Sequence, residues 1–319
     1  MRPRATVPYR FFDLLQQSTA DPAVELRAGL AAAVAFISPK FFYDELGARL
    51  FEAICALPEY TLPRDERSIF ERRTGEIAAI VGTGCTLIDL GAGNCAKAER
   101  LFAALRPAQY VAVDIAADFL RAQLGLLAER HPEIDVIGVA VDFMHGLQLP
   151  EVVLRERRLA FYPGSSIGNF APIEATAFLS TVRELCGGTL LLGADLEKDE
   201  AELVTAYDDP LGVTAAFNLN VLNAANRVAG TDFHVSDWRH VALFNRVEAR
   251  IEMHLEARRP VTVRWSGGGR SFAAGDRIHT ENSYKYTLPR LTQLLRDAGY
   301  TSVRLYTDAA DRFALALAQ

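Results

Sequence analysis

Apolar positions change their spacing along this chain, and each change marks a boundary. Val24, Leu26, Leu30 and Val34 recur at helical intervals and predict a helix over residues 22–36. The loop ISPKFF leads to a second helix within YDELGARLFEAICAL, and the proline-punctuated turn LPEYTLPRDE leads to a long one over residues 64–80. From Thr86 the pattern turns to short apolar runs alternating with helices. TLIDL, YVAVDI, DVIGVAVDF, RLAFYPG and TLLLGAD read as buried strands. GAGNCAKAERLFAAL, AADFLRAQLGLLAER and IEATAFLSTVRELC read as helices between them. This alternation predicts a parallel sheet covered on both faces.

After Asp195 the alternation stops. Residues 198–229 read as helical, with Asn218, Asn220, Asn223 and Asn226 forming one polar face along a cleft. Residues 247–283 hold the alternating stretches RIEMHLEARR and VTVRW, with SGGGR as a hairpin turn. LPRLTQLLRDAGY then restores an amphipathic helix, followed by strands in SVRLYTD and RFALALA. No repeat or low-complexity tract interrupts the pattern. An α/β domain of residues 65–195 and 287–319 is expected, split by an insertion. The N-terminal segment and that insertion, residues 1–64 and 196–286, form a second, α+β unit.

Composition narrows the function classes. Half of the 319 residues are hydrophobic and 23% are charged, the profile of a soluble globular protein. A net charge of −6 gives no reason to expect nucleic-acid binding. Cys55, Cys85, Cys95 and Cys186 form no Cys-x-x-Cys pair, which argues against a disulfide framework or structural zinc and fits a reducing compartment. The N-terminus has arginines but no apolar core with a cleavage site, and LAAAVAFI is too short to span a bilayer. A cytoplasmic monomer with no membrane or nucleic-acid partner is expected.

The strongest local signal is Asp89-Leu90-Gly91-Ala92-Gly93-Asn94, a strand running through a glycine loop into a helix. Glycines let a ligand approach the backbone, and the helix N-terminus offers free N–H groups. Asp114 ends the next strand, where a carboxylate accepts both hydroxyls of a ribose. Asp142 ends the third, where a carboxylate can receive an adenine amino group. Gly91-x-Gly93-x-x-Ala96 also satisfies the looser dinucleotide fingerprint. The loop alone therefore leaves a nicotinamide cofactor, S-adenosylmethionine and an unliganded packing turn all open. Asp89 before the glycines, the acidic end at Asp142 and the closing helix and strand pair favour S-adenosylmethionine.

Longer strings carry more. FFYDELGARLFEAICALPEYTLPRDE, FYPGSSIGNFA, GADLEKDEAELVTAYDDPLGVTAAFNLN, RIEMHL and TENS resemble the histidine N-α-methyltransferases of ergothioneine biosynthesis, from about residue 22 to the C-terminus. The resemblance implies a Rossmann-like class I methyltransferase domain plus a second, substrate-binding domain. It implies S-adenosylmethionine as donor, S-adenosylhomocysteine as product, no metal, and free L-histidine methylated up to trimethylhistidine (hercynine). It also assigns roles. Tyr43 lies beside cofactor and substrate, while Gly91, Lys97, Asp114 and Asp142 contact the cofactor. Tyr60 lines the substrate pocket, and Asn169 and Tyr207 hold the backbone end of the amino acid. Met253, Glu281 and Ser283 surround the imidazole. Tyr43, Asn169 and Tyr207 form the catalytic set. The chain departs from the family pattern at Thr61, in the loop LGAGN, at Asn282 and in the run SYKY.

Methyl transfer from a sulfonium is an in-line displacement that needs an uncharged amine about 3 Å from the methyl carbon. A pocket rimmed by Tyr43, Tyr60 and Tyr207 disfavours the ammonium form by desolvation, so no dedicated base is expected. Glu281 and Ser283 lie two residues apart on an extended segment, so both face one way and can engage both imidazole nitrogens. Indole has one N–H and no acceptor, which sets tryptophan apart. Taken without the resemblance, TENS is an ordinary strand end, Asn169 a turn residue and the tyrosines core aromatics. Asp208 and Asp209 are expected to cap a helix or face solvent, and the six histidines show no metal-ligand spacing. Three alternatives remain: an N-methyltransferase of another amino acid such as tryptophan, a nicotinamide-dependent oxidoreductase, and a catalytically idle binding subunit.

Overall fold

The computed structural model describes residues 9–15, 21–143 and 146–319. Its first part holds strand β1 (Arg10–Asp13) and helices α1 (Pro22–Ala31), α2 (Glu45–Ile54) and α3 (Leu62–Val81). The alternating part follows as β2 (Thr86–Leu90), α4 (Ala96–Leu105), β3 (Gln109–Asp114), α5 (Ala117–Arg130), β4 (Asp135–Ala140), β5 (Arg158–Tyr162), α6 (Pro172–Leu185) and β6 (Leu190–Asp195). The insertion contributes α7 (Glu200–Tyr207), α8 (Val213–Ala229), β7 (Trp238–Asn245), β8 (Arg250–Ala257), β9 (Val261–Trp265), β10 (Gly268–Phe272) and β11 (Arg277–Tyr284). The chain closes with α9 (Leu288–Asp297), β12 (Val303–Thr307) and β13 (Phe313–Ala318).

Eight strands form the main sheet in the order β1-β4-β3-β2-β5-β6-β13-β12. All neighbours are parallel except β13, which runs antiparallel to both β6 and β12. Strands such as β2 and β6 are buried along their whole length, which is why they read as unbroken apolar runs. Leu87 and Leu191 face one apolar layer, and their neighbours Ile88 and Leu192 face the other. The first layer continues without a break through Ile69 of α3 and Phe217 of α8 to Met253 of β8. The insertion and the sheet therefore share one core.

Several elements differ from the pattern-based reading. Arg10–Asp13, grouped above with the substrate unit, pairs with β4 as the outermost strand of the main sheet. Four residues are too few to show a period. The first helix stops at Ala31 rather than 36, and the chain beyond it bridges to β11, with Ile37 N donating to His279 O at 2.9 Å. The helical run 198–229 breaks at Asp208–Gly212. Pro210 cannot extend a helix, and Gly212 takes φ 75°. Asp209 caps α8, its two oxygens accepting Thr214 N at 2.7 Å and Val213 N at 3.1 Å. Strand β7, which the alternation did not reveal, pairs with β8 in the sheet β11-β8-β7.

The asparagines of α8 do not line the pocket described below; Asn223 donates to Asn220 on the same side of the helix at 3.3 Å, and the other three bond outside the helix. Asn218 donates to His254 O at 3.1 Å, Asn220 to Asp44 at 2.8 Å, and Asn226 to Phe233 O at 2.9 Å. They fasten the helix to three different neighbours. Another tight fit lies at the start of α2, where a β-carbon on Gly47 would stand 1.6 Å from Phe42 O.

Candidate active site

The strand order reverses between β2 and β5, the switch point where open α/β sheets bind ligands beyond the strand ends. The glycine loop leaves β2 there. Gly91 and Gly93 have φ of 73° and 52°, a region that disfavours other residues. A β-carbon on either would meet no atom within 4 Å, so the loop faces open space, as a ligand cradle requires. Asp114 at the end of β3 accepts Gly93 N at 2.8 Å and Ala116 N at 2.9 Å. Each of its oxygens keeps a lone pair for a ligand hydroxyl. Burial raises its carboxyl pKa despite those two bonds. These residues fit an adenosine-type cofactor.

Two other expected cofactor contacts are engaged within the chain. Lys97 pairs with Glu66 at 2.7 Å, and Asp142, two residues past the end of β4, pairs with Lys40 at 2.9 Å. Lys40 also holds Glu25 of α1. Burial opposes the charge on Lys40, but the two carboxylates prevail and raise its pKa. Beneath the loop Asp89 is buried, and burial pushes its carboxyl up to about 7. One of its oxygens accepts Tyr110 Oη at 2.8 Å, while the other has no hydrogen-bond partner among the described residues.

Close by lies a pocket whose wall includes Gly164, the residue against which the Lys97 ammonium of α4 lies. Tyr43, Tyr60, Asn169, Tyr207, Met253, Glu281 and Ser283 all line it, although they come from six separate segments. Tyr43 follows the one-turn helix Pro39–Phe42, Tyr60 precedes α3, and Asn169 ends the turn Ser166–Asn169 beyond β5. Tyr207 closes α7, Met253 sits on β8, and Glu281 and Ser283 lie on β11. Tyr60 and Tyr207 meet edge to face at 5.9 Å. Burial raises the hydroxyl pKa of Tyr43, Tyr60 and Tyr207, so all three stay neutral. Asn169 donates to Asn282 O at 2.9 Å, which ties the turn to β11.

Glu281 and Ser283 reach the same face by a route the sequence hides. His279 pairs with His254 but Glu281 pairs with Met253, so Thr280 is an extra residue in β11. Its hydroxyl donates to Met253 O at 3.0 Å. Ile278 and Glu281 therefore both point inward despite their odd spacing. Burial pushes the Glu281 carboxyl up to about 7, against the charge of Lys285 and a hydrogen bond from Asn169.

Several contributors escaped the sequence reading. Lys285 is fully buried and donates to Ser283 Oγ at 2.8 Å and Tyr207 Oη at 3.0 Å. Glu66, also buried, accepts Gly164 N at 2.7 Å and so joins α3 to the loop after β5. Thr214 and Phe217 of α8 line the pocket as well. Lysine and glutamate are normally surface residues, so only the unusual run SYKY hinted at Lys285. The departures at Thr61 and Asn282 lie off the pocket. Thr61 Oγ1 donates to Asp65 at 2.7 Å, and the Asn282 amide oxygen meets His279 Nε2 at 2.9 Å.

Sheet order, glycine loop and nearby pocket are those of a class I S-adenosylmethionine-dependent methyltransferase. Residues 22–319 match the model of the S-adenosylmethionine-dependent histidine-specific methyltransferases, and the chain belongs to that family. It is 41% identical to the histidine N-alpha-methyltransferase of Mycolicibacterium smegmatis, over 92% of this chain and 93% of that one. It is 38% identical to the protein of the same name from Mycobacterium tuberculosis, with the same coverage. The ergothioneine biosynthesis protein 1 of Neurospora crassa is 32% identical over 83% of this chain but only 31% of its own length. Among the described residues no helix is long and apolar enough to cross a membrane, and no cluster of three His, Cys, Asp or Glu is placed to hold a metal.

Proposed function

We propose that this protein transfers methyl groups to the α-amino nitrogen of free L-histidine, up to trimethylhistidine, as a step of ergothioneine biosynthesis. The observation that carries the reading is the convergence of the seven substrate-side residues on one pocket close to the glycine loop. S-adenosylmethionine supplies an electrophilic methyl group and leaves as S-adenosylhomocysteine. Gly91, Lys97, Asp114 and Asp142 hold it, with Asp114 on the ribose hydroxyls and Asp142 toward the adenine. Tyr43, Asn169 and Tyr207 fix the amino-acid backbone, and Tyr60 closes the pocket wall. Glu281 and Ser283 engage the two ring nitrogens against Met253.

Catalysis in this reading is positioning. The neutral tyrosines exclude water and disfavour the ammonium form of the substrate, so each proton leaves to solvent. The sheet with α3 to α6 and α9 forms the cofactor domain; α1, α2 and the insertion form the substrate domain of a monomer.

The test is incubation with S-adenosylmethionine and a panel of histidine, its N-α-methylated forms, tryptophan and tyrosine, with products followed by mass. Three successive methyl additions to histidine and none to tryptophan are expected. No product on histidine would overturn the reading.

A further inference from the structure

Lys285 has no place in the roles assigned above, yet its surroundings are fully specified. Its ammonium donates to Ser283 Oγ at 2.8 Å and to Tyr207 Oη at 3.0 Å, and meets Asp195 Oδ2 at 2.9 Å. The other oxygen of Asp195 is held by Lys198 at 2.6 Å. Lys285 and Asp195 are both fully buried, so their charges have no water to turn to. The hydroxyls of Tyr207 and Ser283 are also 2.7 Å from each other.

Counting hydrogens fixes what this group presents. An ammonium can only donate, so each hydroxyl accepts from Lys285. One hydroxyl hydrogen is used in the bond between Tyr207 and Ser283. Whichever hydroxyl accepts that bond then has both lone pairs filled, and its own hydrogen is left over. Both residues line the pocket, which leaves a ligand there as the partner for the spare O–H. With the lysine in place, the pair cannot turn to face a ligand as acceptors only.

We propose that Tyr207 donates to Ser283 and that Lys285 is a positioning residue that thereby locks Ser283 as a hydrogen-bond donor toward the substrate ring, opposite the acceptor Glu281, while Tyr207 keeps a lone pair for the amino-acid backbone. The pocket then reads a five-membered ring with one N–H and one bare nitrogen, a neutral imidazole. This rests on the histidine reading above. A ring with an N–H but no acceptor leaves the locked donor unpaired, and buried unpaired donors are penalised heavily.

The test measures methylation of histidine and of both pyrrolylalanine isomers, which keep a ring N–H and lack the second nitrogen. In the wild type, KM for the better pyrrole should exceed that for histidine by at least about tenfold, the worth of one buried donor left unpaired. In Lys285→Met the ammonium that filled a lone pair on each hydroxyl is gone, so the Ser283 hydroxyl is no longer held as a donor toward the ring and can turn a lone pair to it. KM for histidine should then rise about tenfold while that for the pyrrole stays within about threefold, and cofactor affinity by calorimetry should hold. A wild-type ratio near one overturns the inference even if the variant fails to fold. So does an unchanged ratio in a folded, cofactor-binding Lys285→Met. No methylation of histidine by the wild type overturns the proposed function, and this inference with it; a near-unity ratio alongside methylation overturns the inference alone.

Discussion

Replacing Glu281 with glutamine should make the protein more stable and a poorer enzyme, with the stability gain depending on pH. The native carboxyl titrates near 7, against about 4.5 for an exposed one. Each pH unit between those points is worth about 1.4 kcal/mol, so burying the anion costs about 3 kcal/mol. Because the native value is the raised one, the cost is absent below pH 4.5, grows as pH rises toward 7, and is constant above that. Glutamine carries no charge and escapes it. Between pH 5 and pH 8 the variant should gain about 2.5 kcal/mol on the wild type, read from urea transitions without ligands. Contributions of groups common to both proteins cancel in that difference. At pH 8 the same variant should need at least about tenfold more histidine, because an amide oxygen is a weaker acceptor for a ring N–H than a carboxylate. A stability difference that stays flat between pH 5 and pH 8 would refute the argument, since Glu281 would then titrate as an exposed residue does.

Asp114→Asn should weaken cofactor binding by roughly tenfold or more in calorimetry, because one oxygen must replace two that hold Gly93 N and Ala116 N. Gly47→Ala should lower unfolding stability by more than about 2 kcal/mol in a urea titration, since its β-carbon would sit 1.6 Å from Phe42 O. Tyr60→Phe should lower kcat/KM without moving the pH optimum, because the Tyr60 hydroxyl stays neutral. Recovery of that variant at high pH would instead reveal a base.

How much could be read from the chain depended on how local each signal was. The strands β2 to β6 were legible because each is apolar on both faces, and the glycine loop because its chemistry lies within six residues. β1 was hidden by its shortness. The break between α7 and α8 was signalled by Pro210 and Gly212, but the apolar spacing on both sides masked it. The pocket is a different case. Its residues run from Tyr43 to Ser283 and meet only through tertiary packing, so their grouping came from resemblance to a family. Lys285 was missed because its role depends on partners as distant as Asp195 and Tyr207. No spacing rule announces such a cluster.

The bulge at Thr280 treats the extra residue as an intron is treated in a message: the strand passes over it and its pairing with β8 continues in phase. Upstream of it the strand is phased by Ile278 and downstream by Glu281 and Ser283. Because the bulge absorbs it, deleting that one position would leave His279 opposite His254 and Glu281 opposite Met253, with every downstream side chain on its present side of the sheet. Keeping Thr280 but pairing it regularly would instead turn Asn282 toward the pocket and Glu281 and Ser283 away from it. Homologues of this enzyme can therefore exchange side chains along β11 to retune what they bind, and can lose the extra position itself, without any slip in β8.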